Sequence, residues 1–331
     1  MKQASLSWHA TRFAPRFEHH MPRCMNNDWL ARQVDPPRFG WDIPTLDIGF
    51  TQPLYRFIDG QPLHAADAPM STDGRFLRAA LCSALVEALP GGAGLDPLSF
   101  DMEMTALELH AVASTMLDHL DNGRDIASSR GRETALALPV LITVAYSARQ
   151  LAASMVWGPS TVAPDRIDTL RQRFGRLLML QGIGHTLDLW GGENQLRHAG
   201  VDALAEYMRW YVAPLDFELP CELAAAASGL ASGDTAMLVR AGGELGLAWH
   251  AALALARLDG EVSSSAPALR WNCLDGVSLR EALSAILLQS RQAALAGARQ
   301  VAPAVAQVFE SFLDETLSRN VTDVRSPLEA F

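Results

Sequence analysis

The chain has 331 residues, of which 49% are hydrophobic and only 19% are charged. This composition supports a large buried core and argues against a disordered chain. The formal net charge is −10, and no block rich in lysine and arginine is present, which argues against nucleic acid as a partner. The four cysteines are too far apart in sequence to form a CxxC pair, so reduced thiols in a cytoplasmic protein are the simplest interpretation.

The first 70 residues are predicted to form an irregular N-terminal arm. Eight prolines interrupt this segment, and no clear helical periodicity runs through it. Large aromatic residues such as Trp8, Trp29 and Trp41 predict that the arm packs on the core of the remaining domain, residues 71–331. The N-terminus has no apolar segment of the secretory type.

From residue 74 onward the sequence predicts helices separated by turn signals. Apolar residues recur at helical spacing, and strand-like alternation of useful length is absent. The predicted helices are 74–89, 100–120, 132–157, 164–190, 200–211, 214–230, 233–258, 276–297 and 301–319. The apolar stretch 135–158 contains Pro139 and Arg149 and lacks the ~20 uncharged residues of a membrane span, so we expect a buried core helix there. The predicted fold class is all-α.

One predicted helix ends in a cluster of acidic residues. Asp118 and Asp121 are three residues apart and share a helix face, which Asp125 would join if the helix continued. Carboxylates at this spacing can hold a hard cation such as Mg²⁺, and Arg130 and Arg132 follow as candidate contacts for phosphate oxygens. The alternative interpretation is a solvated helix end, because charged helix termini are common.

His119 lies directly after the first of these acids. It is a candidate general base or metal ligand, and the competing interpretation is an ordinary surface or core histidine. The sequence contains no HExxH pairing, so a zinc site is not expected.

The segment 108–134 resembles the first aspartate-rich region of the trans-prenyltransferases, the polyprenyl diphosphate synthases. That family reads roughly ELxHxxSLxxDDxxD and then RRGxxT. The residues that match are Glu108, Leu109, Ser114, Asp118, Arg130, Gly131, Arg132 and Thr134. His119 and Asn122 replace two of the family's acids. The resemblance implies an isoprenoid synthase type helical bundle, a prenyl diphosphate ligand, Mg²⁺ as cofactor and a homodimer.

Three further matches follow in the family's order along the chain. Residues 74–78 (GRFLR) resemble the isopentenyl diphosphate site GKRLRP, residues 184–189 (GHTLDL) resemble GQALDL, and residues 243–250 (GELGLAWH) resemble GxxLGLAFQ. The residues that this resemblance implies as ligand contacts are Arg78, His185, Asp188, Trp249 and His250.

Two charged features of the family are replaced in this chain. Where the family has its second aspartate-rich motif, residues 253–257 read LALAR, and Tyr211 aligns with the lysine of KTxxL. Tyr211 therefore occupies a ligand-contact position without the charge. Arg257 is either a cation for a diphosphate or a structural residue paired with Asp259 or Glu261. The charged residues with which the family binds its two diphosphate substrates are therefore altered in this chain, so ordinary elongation of a prenyl chain is not expected.

The resemblance also bears on the length of the ligand. In the family, the side chains four and five residues before the first motif limit the prenyl chain, and these positions are Ser114 and Ala113 here. Ala113 stacks about one turn below Leu117 on the same wall of the helix. Because Ser114 and Ala113 are both small and leave the cavity open, the resemblance implies a prenyl ligand of about C15 to C20 or longer. The alternative is close helix packing without a cavity.

Two hypotheses about function follow from the resemblance. The first is a terpene-synthase-like enzyme that transforms a prenyl diphosphate with Mg²⁺ held by the first acidic cluster. The second is a catalytically inactive prenyl-binding or regulatory subunit that pairs with an active synthase, which accounts directly for the missing second motif.

Overall fold

The structure, a computed structural model, describes residues 6–24, 76–92, 95–96, 100–121, 138–158, 163–192, 201–211, 213–258 and 278–321. Within these ranges all regular structure is helical and no strand is present, which confirms the predicted all-α class. The ten α-helices of the described ranges are α1 (Leu6–Cys24), α2 (Leu77–Ala88), α3 (Asp101–Asp121), α4 (Leu138–Trp157), α5 (Pro164–Gly192), α6 (Val201–Tyr211), α7 (Leu219–Ser228), α8 (Ser232–Leu258), α9 (Leu279–Val301) and α10 (Pro303–Val321).

Within the described residues, the helices predicted from residue 74 onward are confirmed, with small shifts at their ends. Residues 132–137 of the predicted helix 132–157 lie outside the described part. Local sequence explains several of these ends. Ser278 accepts a hydrogen bond from the Glu281 amide while the Glu281 carboxylate accepts one from the Ser278 amide, so a capping box starts α9. Gly229 ends α7 in a left-handed conformation with a φ of 71°, and Pro303 starts α10 directly after the extended residue Ala302.

The prediction that residues 1–70 are irregular is wrong for residues 6–24, which form α1. The buried residues Leu6, Ala10, Phe13 and Phe17 recur at helical spacing, and this apolar face outweighs the helix-breaking effect of Pro15. Pro15 is exposed, and a proline inside a helix removes one backbone hydrogen bond rather than all of them. Residues 25–75 lie outside the described part of the chain, so the rest of the predicted arm stays a prediction.

A π-helical segment at Pro214–Glu218 leads directly into α7. The amide of Leu219 donates to the carbonyl of Pro214, five residues earlier instead of four. Pro220 follows directly and has no amide hydrogen to donate to the carbonyl of residue 216. In a regular α-helix its ring would also clash with that carbonyl. The wider turn before Pro220 accommodates this constraint.

The chain divides into two compact units. The first unit comprises Met1–Ala10, His64–Phe100 and Thr161–Phe331, and the second comprises Thr11–Leu63 and Asp101–Ser160. In the first unit, α6, α8 and α9 enclose a buried cluster to which Tyr207, Leu247 and Leu283 belong. In the second unit, α3 and α4 pack against each other. No helix of the described residues is long and apolar enough to cross a membrane.

Helix α8 makes an unusually close approach to the π-helical segment at Gly246. A Cβ atom at this position would lie 2.8 Å from Cδ2 of Phe217 and 3.1 Å from Cα of Ala213. The glycine therefore allows two backbones to pack more closely than any side chain would permit.

We expect Gly246→Ala to lower the free energy of unfolding by about 1–3 kcal/mol, because the added methyl group must push α8 away from the backbone of Ala213. Gly233 lies in the first turn of the same helix with open space around its Cα. Gly233→Ala is the matched control, and we expect it to change stability by no more than about 0.5–1 kcal/mol, in the stabilising direction. Urea unfolding of both variants checks this, and equal effects would contradict the close packing at Gly246.

Candidate functional site

Tyr211 and His250, both predicted as ligand contacts, lie together in the first unit. The rings of Tyr211 and His250 meet edge to face with centroids 6.5 Å apart. Tyr211 also stacks on Tyr207 at 5.8 Å, and both Tyr207 and His250 are buried. An aromatic cluster thus occupies the position where the resemblance places a lysine.

Trp249 belongs to a second group of rings. Its ring packs against that of Phe217 in the π-helical segment, with the ring centroids 5.5 Å apart. The ring of Phe217 in turn packs against Phe312 of α10, with centroids 5.6 Å apart. The indole nitrogen of Trp249 is buried and makes no hydrogen bond within the described residues. The ring anchors α8 through apolar contact.

Two of the α8 positions that correspond to a second acidic motif are apolar and buried. Leu253 is 7% exposed and Ala254 is 1% exposed, and Ala254 belongs to the cluster that α8 shares with α6 and α9. These two positions therefore serve the core. The side chain of Arg257, close to the end of α8, lies outside the described part of the structure.

Arg78 makes an ion pair with Asp216 of the π-helical segment. Its Nε and Nη2 atoms both lie 2.8 Å from Oδ1 of Asp216, and the two side chains are only 20% and 17% exposed. The predicted role of Arg78 as a diphosphate contact stays a prediction, and in this structure its guanidinium is held by a carboxylate.

The predicted acidic cluster begins in the last turn of α3, which ends at Asp121. The backbone of positions 118, 119 and 121 is helical, and the side chains of Asp118, His119 and Asp121 lie outside the described part. His185 and Asp188 lie in α5 with side chains that also lie outside it, and Asp125, Arg130 and Arg132 lie outside the described residues altogether. Among the described side chains, no group of three His, Cys, Asp or Glu residues could hold a metal ion.

Ser114 lies in a polar environment between α3 and α4. Its hydroxyl accepts a hydrogen bond from Nη2 of Arg149 at 3.2 Å and donates to the carbonyl of His110 at 3.1 Å. The ring nitrogen Nε2 of His110 is 3.3 Å from the same hydroxyl, and Ala113 beside it is fully buried. A guanidinium therefore lies next to a position that the sequence predicted to line an apolar cavity.

The structure adds a charged cluster, centred on Glu218, that sequence analysis missed. Glu222 accepts a hydrogen bond from Nε of Arg173 at 2.9 Å, and Glu244 accepts one from Nη2 of Arg209 at 2.8 Å. Glu218 packs so closely on α8 that a Cβ atom at Gly243 would lie 3.0 Å from its Oε1. Burial raises the pKa of Glu218, the arginines Arg173 and Arg209 lower it, and the nearby Glu222 raises it further.

Two of these buried polar contacts have a signal in the sequence, which is a single charged residue in an otherwise apolar helix. Glu222 stands alone as a charged residue in α7, LPCELAAAAS, and Arg149 does so in α4, LPVLITVAYSARQLAASMVW. A single charge in an otherwise apolar helix needs a partner when the helix is buried.

Comparison with known proteins gives structural matches only. No protein-family model matches the chain, and no curated protein matches it in sequence. A geranylgeranyl pyrophosphate synthetase from Geoglobus acetivorans aligns with a TM-score of 0.57 at 14% identity, over 94% of this chain and 100% of that one. A geranyltransferase from Legionella pneumophila aligns with a TM-score of 0.56 at 18% identity, over 85% of this chain and 98% of that one. The geranyl diphosphate synthase small subunit from Antirrhinum majus aligns with a TM-score of 0.56 at 13% identity, over 93% and 99%.

The chain has the isoprenoid synthase fold. These matches extend over most of the chain and confirm the fold that the resemblance to trans-prenyltransferases implied. At identities of 13–18% the property shared with these proteins is the isoprenoid synthase fold.

The raised pKa of Glu218 predicts a pH-dependent contribution to stability. Because burial favours the neutral carboxyl in the folded state, the contribution of Glu218 is fully present below its unfolded-state pKa and is lost as the pH rises through its folded-state pKa. The amide side chain that Glu218→Gln introduces is neutral at every pH. We therefore expect the stability of this variant relative to the parent protein to increase between about pH 4 and about pH 8.

Chemical denaturation at a series of pH values measures this difference. Glu310→Gln, at an exposed position of α10, corrects for the general effect of removing one negative charge. A relative stability of Glu218→Gln that falls as the pH rises would show that the arginines, rather than burial, dominate at Glu218.

Proposed function

We propose that the chain is a terpene-synthase-like enzyme that binds a prenyl diphosphate and ionises it, with Mg²⁺ held by Asp118, Asp121 and Asp125. The observation that carries this proposal is the position of the acids in an isoprenoid synthase fold. Helix α3 ends at Asp121, so Asp118 and Asp121 share a face of its last turn. The carboxylate oxygens of these residues suit a hard cation that retains water ligands for a phosphate to replace.

The proposed reaction breaks the bond between C1 of the prenyl group and the diphosphate oxygen. The electron pair leaves with the diphosphate, and the remaining allylic cation loses a proton or is captured by water. Bound Mg²⁺ would neutralise charge on the leaving group, which is the dominant electrostatic requirement of such a step. Arg130, Arg132 and Arg257 are the proposed cationic contacts, and His119, next to Asp118, is the proposed proton acceptor.

A reaction of one substrate is favoured over chain elongation. Arg78, the residue that would anchor a second diphosphate, is paired with Asp216. Tyr211 replaces a lysine and packs against His250, and Ala254 replaces an acid within the core. The pairing of Arg78 removes positive charge that a second diphosphate would need, whereas the changes at positions 211 and 254 reduce charge or metal binding for either reaction.

We expect the purified protein with Mg²⁺ to release inorganic pyrophosphate from at least one C10 to C20 prenyl diphosphate. Asp118→Asn combined with Asp121→Asn should abolish the release, because amides bind Mg²⁺ far more weakly than carboxylates do. The control combines Asp202→Asn and Asp234→Asn, two exposed aspartates in the first turns of α6 and α8. If every prenyl diphosphate of this series remained intact, the enzymatic proposal would be overturned.

A catalytically inactive prenyl-binding or regulatory subunit is the second candidate. The apolar, buried positions Leu253 and Ala254 favour it, because they leave α8 without the acids of a second metal motif. The small subunit from Antirrhinum majus, named as part of a geranyl diphosphate synthase, has the same fold.

The second candidate predicts a stable complex with an active prenyl diphosphate synthase. Purification of the tagged protein from its native host, followed by assay of the eluate for prenyl diphosphate synthesis, tests this. We expect a co-purifying synthase whose activity or product length changes when the chain is removed. A chain that associates only with itself contradicts this candidate and is the result expected for an independent homodimeric enzyme.

A further inference from the structure

Two of the four cysteines face each other between α2 and α7. Cys82 of α2 and Cys221 of α7 are both thiols, and both are fully buried. The two helices pack against each other within the first unit. Burial raises the pKa of the Cys221 thiol well above its ordinary value, and the nearby Cys82 thiol raises it further. The two side chains are therefore close enough to interact.

The contacts on either side of this pair fix the register of the two segments. Arg78 pairs with Asp216 at one end, and a Cβ atom on Gly91 would overlap the carbonyl of Ser228 at the other. Residues 78 and 216 are 138 positions apart. The separation from 91 to 228 is one position shorter, and that between the two cysteines is one position longer. A nearly constant separation means that the segments run in parallel, so the cysteines lie at the same level.

Helix geometry also places the cysteines on the faces that meet. Cys82 follows Arg78 by four residues, so their side chains share a face of α2. Cys221 follows Asp216 by five residues, which is the spacing that a π-helical turn spans. Since Arg78 and Asp216 form an ion pair, the next turn of each segment brings the two thiols together.

We propose that Cys82 and Cys221 are a redox site, which a peroxide converts into a disulfide that links α2 to α7. The peroxide transfers one oxygen atom to the first sulfur, giving a sulfenic acid, and its other oxygen leaves as water. The second thiol then attacks that sulfur, so the S–S bond forms and a second molecule of water leaves. Overall the two thiols lose two hydrogen atoms, and the peroxide is reduced to water.

The start of α2 offers a route for the oxidant. Phe76, the N-cap of α2, has a φ of 68°, a left-handed conformation that is strained for a bulky residue, and its side chain makes no capping hydrogen bond. A strained helix end without a side-chain cap opens more readily than the core of a bundle. Cys82 lies in the second turn from that end, so opening of this end exposes the thiol to peroxide.

Peptide mapping by mass spectrometry of the native, full-length protein tests the disulfide. The protein is treated with hydrogen peroxide at about pH 8, where more thiolate is present than at neutral pH, and the remaining thiols are alkylated before digestion without reduction. We expect one cross-linked pair of peptides, joined through Cys82 and Cys221, that a reductant separates. The control combines Cys24→Ala and Cys273→Ala, which removes the other two cysteines, and it should form the same cross-link.

Thermal unfolding gives a second measurement on the same samples. A cross-link between segments so distant in sequence restricts the unfolded chain, so peroxide should raise Tm by about 5 °C or more. A reductant should reverse the rise. Cys82→Ala, treated in the same way, should show no rise, because Cys221 then has no partner for a disulfide.

Several results would overturn the inference. Peroxide treatment that leaves both thiols open to alkylation, or that oxidises them separately to sulfinic acids, rules out the disulfide. A cross-link that forms only in denaturant, or that joins Cys24 or Cys273 instead, rules it out as well. If Cys82→Ala does not fold, the cross-linked peptides and the reductant-reversible rise in Tm of the parent protein decide alone. The inference is independent of the proposed function, which these results leave unchanged.

Discussion

The close approach of α8 to the π-helical segment determines where the surrounding side chains can lie. At Gly242 a Cβ atom would come within 2.6 Å of the Cys221 sulfur, and at Gly246 within 2.8 Å of the Phe217 ring. With only hydrogen atoms at these positions, α8 comes close enough for Glu218 to be partly buried against it. The π-helical turn belongs to the same constraint, because Pro220 cannot continue an α-helical hydrogen-bond pattern through residue 216.

The arginines of this region are held by carboxylates. Arg78, Arg173 and Arg209 each donate to an acid at 2.8–2.9 Å. Partly buried pairs of this kind persist because separating them would leave a desolvated charge without compensation. In the proposed function, positive charge for the diphosphate is therefore assigned to Arg130, Arg132 and Arg257 or to a bound cation.

The fold could be predicted from the sequence because helical periodicity and turn residues are local properties. Pro303, Gly229 and the Ser278–Glu281 pair mark helix ends that the structure confirms. The prolines of residues 1–70 argue against helix α1, whereas burial of the face that carries Phe13 and Phe17 stabilises it.

The candidate site could be predicted only where it follows from motif order. Tyr211 and His250 aligned with ligand contacts, and the structure brings them together. The pairing of Arg78 with Asp216 joins residues 138 positions apart, and the contact of Arg149 with Ser114 joins two helices. Such contacts depend on tertiary packing, which no local pattern in the sequence records.

The contrast between α3 and α8 bears on the class of reaction. α3 has two acids in its last turn, whereas Ala254 of α8, at a position where the resembled family has an acid, packs in the core with α6 and α9. An acid at position 254 would place a charge inside an apolar cluster, so packing opposes an acid there. Each reaction releases one diphosphate, but condensation must also hold a second substrate by its diphosphate, which ionisation of a single diphosphate does not require. If the chain binds a prenyl diphosphate as proposed, this arrangement favours a one-substrate reaction or simple binding, and the acids at the end of α3 are the reason to propose the reaction.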